Sequence, residues 1–128
     1  MTGIKYLLDT NFLLGLLMSK ALPDLIAVVL ARQIRVSECA YSFMTRMEIL
    51  GFEGLEQDEC LLIESKLFHL TRLELSIAIE EKVIEIRRSR KVKMPDAIIA
   101  ATTLVHKLEL LTLDLRLDSL WRSLGGRS

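Results

Sequence analysis

Several things are scarce in this chain of 128 residues, and each scarcity removes a class of function. Aromatic residues make up only 5% of it, so no stacking platform for single-stranded bases is visible. Two histidines, His69 and His106, and two cysteines, Cys39 and Cys60, stand singly, with no CxxC or paired His spacing. That excludes a zinc cluster; the histidines are expected to be structural, and the thiols free and buried as in a reducing cytoplasm. No glycine-rich turn follows the first apolar run, which argues against the P-loop and dinucleotide-binding classes, whose phosphates need a cradle of backbone N–H groups. No apolar run is long enough for a signal peptide or a membrane span, and Asp9 interrupts the first one. A cytoplasmic protein without membrane contact is expected. An excess of one charge is missing too: 17 basic residues face 17 acidic ones. Whole-molecule attraction to nucleic acid is therefore excluded, and any such binding needs a local patch.

Apolar residues, at 51%, are present in force. With this length they predict one domain spanning residues 1–128 around a substantial core. Ile4–Leu8 reads as a strand stopped at Asp9-Thr10-Asn11, and Phe12–Met18 as a helix. Pro23-Asp24 opens a second helix to about Ala31. The alternation of Ile34–Cys39 suggests a second strand. Ser42 is placed to cap a helix that carries Thr45 and Glu48 and ends at Gly51. Further helices are expected over Glu56–Phe68, Ser76–Arg90 and Ala97–Lys107, the last opened by Pro95-Asp96 and apolar enough to be deeply packed. Strands are expected at about His69–Leu73 and Leu108–Thr112, with a short helix to about Leu124. Strands alternating with helices predict an α/β fold: a three-layer α/β/α sandwich around a mostly parallel sheet of four to five strands. Sites in such folds form at the carboxyl ends of the strands.

Four acids fall where that rule directs attention. Asp9 ends the first strand amid Leu7, Leu8, Phe12, Leu13 and Leu14, where a carboxylate needs partners. Glu48 lies on the helix after the second strand, Asp96 in the first turn of the buried helix, and Asp114 just beyond the fourth strand. Singly, each has a bland explanation as a cap, a dipole-compensating acid or a surface residue. Together, clustered like charges must take up protons or bind a cation. Oxygen-only ligands favour Mg2+ or Mn2+ over zinc, and a metal-activated water is suited to phosphodiester hydrolysis.

These residues carry a resemblance. Leu-Leu-Asp9-Thr10-Asn11-Phe-Leu-Leu, Ser42-Phe-Met-Thr45-Arg-Met-Glu48, Lys93-Met-Pro-Asp96-Ala-Ile-Ile and Leu-Leu-Thr112-Leu-Asp114 are similar, in order and spacing, to the four motifs of PIN-domain ribonucleases, especially VapC-type toxins of toxin–antitoxin pairs. The resemblance covers nearly the whole chain. It implies catalytic and metal-binding roles for Asp9, Glu48, Asp96 and Asp114, with Asn11 and Thr112 orienting them. Thr45, one turn before Glu48, shares its face. It also implies an RNA substrate, a small cognate antitoxin and a homodimer; the apolar excess is in keeping with a surface left for partners. The fourth motif departs from the pattern: Asp118 stands one position later than the second acid many members carry. Asp114 is preferred over it because it lies nearer the strand end.

Arg87, Arg88, Arg90, Lys91 and Lys93 crowd into seven residues just before Asp96, a patch suited either to phosphates or simply to solvent. An aspartyl-phosphate phosphatase would want a second Asp where Asn11 stands, and a receiver domain an early acidic pair. The alternative of another class is a catalytically silent domain of the same fold that acts by binding a partner protein or RNA.

Overall fold

The computed structural model describes residues 3–17, 28–29 and 31–128. The helix expected from Pro23 falls largely outside the described residues. Four strands, β1 (Tyr6–Leu8), β2 (Cys39–Ser42), β3 (Thr71–Leu73) and β4 (Glu109–Leu111), form one sheet in the order β3-β2-β1-β4. Every pairing is parallel, with Leu7 opposite both Ala40 and Leu110. Six α-helices flank the sheet among the described residues: α1 (Thr10–Leu17), α2 (Phe43–Leu50), α3 (Gln57–Leu67), α4 (Ile77–Ser89), α5 (Met94–His106) and α6 (Leu115–Ser123).

The pleat sorts the strand side chains between two cores. Leu8, Cys39, Tyr41 and Leu111 pack with Phe12 and Leu13 of α1, Ile49 of α2 and Leu67 of α3. Their neighbours Leu7, Ala40 and Leu110 pack with Ile99 of α5 and Leu117 and Trp121 of α6. A third cluster joins Ile79, Val83 and Ile86 of α4 to Ala97, Ala100 and Ala101 of α5. The small residues let α4 approach closely. The result is the expected three-layer sandwich, with four strands and all of them parallel.

Local signals explain most boundaries. Ser42 accepts from Met44 N–H at 3.2 Å and starts α2; Ser76 accepts from Ile79 N–H at 3.2 Å and starts α4. Pro95 sits in the first turn of α5, and Lys107 closes that helix in the left-handed region at φ 57°. As expected, α5 is deeply packed, with six of the seven residues from Ala97 to Thr103 buried; Thr102 and Thr103 return their hydroxyls to Ile98 O and Ile99 O, both at 2.6 Å.

The second strand differs from expectation. Val36–Glu38 forms a 3-10 turn, held by Glu38 bonding Arg35 N–H and pairing with Lys5 at 2.9 Å, and the strand itself is Cys39–Ser42. A strand interior to a parallel sheet is covered on both faces, so it reads as an uninterrupted buried run rather than as alternation. Cys-Ala-Tyr-Ser is such a run, buried at every position. Cys60 also departs from expectation, being half-buried rather than buried, while both thiols are free as expected.

Candidate active site

Asp9, Thr112 and Asp114 stand at the carboxyl ends of β1 and β4, which lie side by side, β4 at one edge of the sheet and β1 just inside it. The backbone of Asp9 extends the ladder, its N–H bonding Leu111 O at 2.9 Å. Its side chain is 9% exposed and accepts two hydrogen bonds, from Thr10 N–H to Oδ1 and from Thr112 Oγ1 to Oδ2, both at 2.8 Å. Two local donors therefore hold an otherwise costly buried carboxylate in one orientation.

Those two threonines extend the network to two more acids. Thr10 Oγ1 donates to Glu48 Oε1 at 2.8 Å and meets Thr45 Oγ1 at 3.0 Å. Thr112 Oγ1 accepts from Asp114 N–H at 3.0 Å. Asn11 Oδ1 accepts from Leu113 N–H at 3.0 Å, which pins the turn between Thr112 and Asp114 against the start of α1. A chain of bonds thus runs Glu48–Thr10–Asp9–Thr112–Asp114. Asp96, in the first turn of α5, joins through its field rather than through a bond.

Electrostatics shows the same grouping. Burial pushes the Asp9 carboxyl above its ordinary value, and the charges of Glu48 and Asp96 add to the push, against the pull of the Thr112 and Thr10 donors. Burial likewise raises Asp96, with Asp114 adding and Lys93 opposing. None of the four acids is in an ion pair among the described residues, although six such pairs exist elsewhere. Asp118 is one of those paired acids, with Arg122 at 3.0 Å, whereas the acid whose field reaches Asp96 is Asp114. Asp114 has a second duty: its Oδ1 caps α6 by accepting from Arg116 N–H at 2.9 Å and Leu117 N–H at 3.3 Å.

The donor set fits a hard divalent cation. It consists of carboxylates that repel one another, with no lysine or arginine paired to them among the described residues, and of hydroxyl oxygens beside them. Among the described residues no three His, Cys, Asp or Glu side chains are gathered tightly enough to enclose an ion directly. Such spacing is compatible with Mg2+, which keeps several waters and takes one or two direct carboxylates.

The five cations behave unequally. All are exposed, but Arg87 donates to Val92 O at 3.3 Å and Arg90 to Ser123 Oγ at 2.6 Å. Lys93, at the N-cap of α5, is the one whose charge reaches Asp96. Thr10 escaped the reading of the sequence. Its position directly after Asp9, at the start of α1, was the available signal.

A family model described as PIN domain matches residues 6–121. Among solved structures the chain is similar to a toxin–antitoxin complex from Klebsiella pneumoniae, at 29% identity and a TM-score of 0.71 over 86% of this chain and 87% of that one. It is also similar to FitAcB from Neisseria gonorrhoeae, at 21% identity and a TM-score of 0.74 over 91% and 93% of the respective chains. No curated protein matches it.

Proposed function

The chain belongs to the PIN-domain family, and we propose that it is a metal-dependent endoribonuclease, the toxin of a VapBC-type toxin–antitoxin pair. PIN domains are generally nucleases, and similarity to a toxin–antitoxin complex supports the narrower reading. The observation that carries the chemistry is the coupling of Asp9, Glu48, Asp96 and Asp114 with no ion-pair partner among the described residues for any of them.

In this reading the four carboxylates hold Mg2+ or Mn2+, which supplies a hydroxide-like water and steadies charge on the phosphate. Thr112 and Thr10 fix the Asp9 carboxylate, with Asn11 and Thr45 behind them. Arg88, Lys91 and Lys93, with Arg87 and Arg90 beside them, take the RNA backbone. The domain spans residues 1–128, acts in the cytoplasm, forms a homodimer and is restrained by a small antitoxin. Among the described residues no helix is long and apolar enough to cross a membrane.

The test is RNA cleavage by purified protein with and without EDTA, and by Asp9→Asn. Cleavage that needs added Mg2+ or Mn2+ and is lost in the variant supports the proposal. Cleavage that survives both treatments overturns it. An inert wild type that still binds a neighbour-encoded protein would favour the silent binding domain instead.

A further inference from the structure

One neutral residue bonds the carboxylates of two of the four acids. Thr10 bonds Asp9 Oδ1 through its N–H and Glu48 Oε1 through its hydroxyl, each at 2.8 Å. We propose that Thr10 is a positioning residue that holds Glu48 beside Asp9 for cation binding, and that the buried Thr45 hydroxyl fixes the direction in which Thr10 gives its proton. The cation-binding part rests on the nuclease reading above.

Counting protons gives the direction. Thr10 Oγ1 has one hydrogen and two oxygen neighbours, Glu48 Oε1 at 2.8 Å and Thr45 Oγ1 at 3.0 Å. An ionised carboxylate only accepts, so the Thr10 proton goes to Glu48. The Thr45 proton then goes to Thr10. Thr45 is fully buried at the root of α2, where it is held by packing. The two hydroxyls therefore form a one-way chain from the core to the acid.

Glu48 needs such a tether. It lies on the exposed side of α2, has no ion-pair partner among the described residues, and stands within the repulsive field of Asp9. A free glutamate there would gain rotamer entropy and distance from Asp9 by turning into solvent. Thr10 suits the task because its backbone is fixed at the first residue of α1 and its β-branched side chain has few rotamers. The bond occupies Oε1 of Glu48 and leaves Oε2 without a protein donor among the described residues.

The test compares wild type with Thr10→Val, Thr10→Ser and Thr45→Val. Metal-free protein labelled with carbon-13 at the glutamate carboxyls would be examined by NMR, with the Glu48 signal assigned through Glu48→Gln. Wild type and Thr10→Ser should show a Glu48 carboxyl signal distinct from those of exposed glutamates, and Thr10→Val should move it among them. In calorimetric titration with Mn2+, Thr10→Val should bind about 10- to 100-fold more weakly, the range typical of lost outer-shell partners, with Thr10→Ser close to wild type. Thr45→Val should fall between. Circular dichroism checks each fold, and Thr10→Ala replaces Thr10→Val if the latter does not fold. A wild-type Glu48 signal in folded Thr10→Val or Thr10→Ala would overturn the positioning role. A wild type that takes up no Mn2+ would sink the nuclease reading, while the Glu48 signal would still decide the part played by Thr10.

Discussion

Thr112 Oγ1 donates to Asp9 Oδ2 at 2.8 Å, joining residues 103 positions apart in the chain. The bond crosses from the end of β4 to the end of β1, adjacent parallel strands in register. The same oxygen accepts from Asp114 N–H, so one hydroxyl orients one acid and holds the backbone of another.

Replacing Thr112 by valine keeps its volume and removes both bonds. The Asp9 carboxylate loses one of its two donors, and a partly buried N–H at Asp114 loses its acceptor. Stability should fall by about 1–3 kcal/mol, the usual cost of leaving buried polar groups unpaired. Mn2+ affinity should fall by about 10- to 100-fold. Thr112→Ser should recover most of both. Urea unfolding and calorimetry check the pair, and a valine variant equal to wild type in both would remove Thr112 from the site.

Asp9→Asn should separate stability from activity. Burial and the neighbouring acids raise the Asp9 carboxyl in the folded state. The folded chain then holds that proton more tightly than the unfolded chain, so ionisation opposes folding. Metal-free wild type should lose stability as pH rises from the ordinary carboxylate value through the raised one, and the deficit persists above it. Asparagine carries no charge and escapes this loss. Its amide fits the same place: Oδ1 accepts from Thr10 N–H, Nδ2 donates to Thr112 Oγ1, and the Thr112 proton turns to Asn11 Oδ1, 3.4 Å away. In EDTA at neutral pH the variant should therefore resist urea better than wild type, with a flatter pH profile, while cleaving no RNA. Coincident profiles from about pH 4 to pH 8 would show that Asp9 bears no such strain.

Much of this arrangement was legible in the sequence because the responsible signals are local. Ser42, Ser76 and Pro95 mark helix starts by chemistry that acts within one turn, and the buried face of α4 follows from helical spacing. The order of the acids along a βα pattern pointed to the strand ends. The second strand was misjudged because Ile34 and Val36 alternate like a half-exposed strand, whereas the real one is buried on both faces and so has no alternation to read. Thr10 was missed for a different reason. Its value lies in contacts with Glu48 and Thr45, 38 and 35 residues away, which no local pattern announces. Arg46, two residues before Glu48 in the sequence, pairs its guanidinium with Glu64 of α3.

The basic run should divide into two groups. Arg87 and Arg90 spend donors on Val92 O and Ser123 Oγ, whereas Arg88 and Lys91 are exposed and bond no protein acceptor among the described residues. If the run takes RNA phosphates, the double variant Arg88→Ala, Lys91→Ala should weaken binding without sequence preference. The slope of log affinity against log salt should shrink by about one for each cation lost. Mn2+ affinity should stay at the wild-type value, because neither cation is among the charges that shift Asp9 or Asp96. An unchanged salt slope would move the RNA path elsewhere on the surface.

The far end of the molecule offers a control on all of these. Gly126 lies against the indole of Trp121, its N–H bonding Trp121 O at 2.9 Å, and a Cβ at position 126 would overlap the ring. Trp121 is fully buried between α6 and the sheet and is the only tryptophan in the chain. Gly126→Ala must therefore either displace the tail or shift the ring, at a cost of about 1–3 kcal/mol, typical of overpacking. Tryptophan emission should move to longer wavelength as water reaches the indole, and the urea midpoint should drop. The acids sit at the opposite ends of the strands from the close of α5, against which Trp121 packs, so Mn2+ affinity of the folded variant should not change. A loss of Mn2+ affinity in this variant would mean that the site responds to global loosening, and the affinity losses expected for Thr10→Val and Thr112→Val would then have to be read against that background.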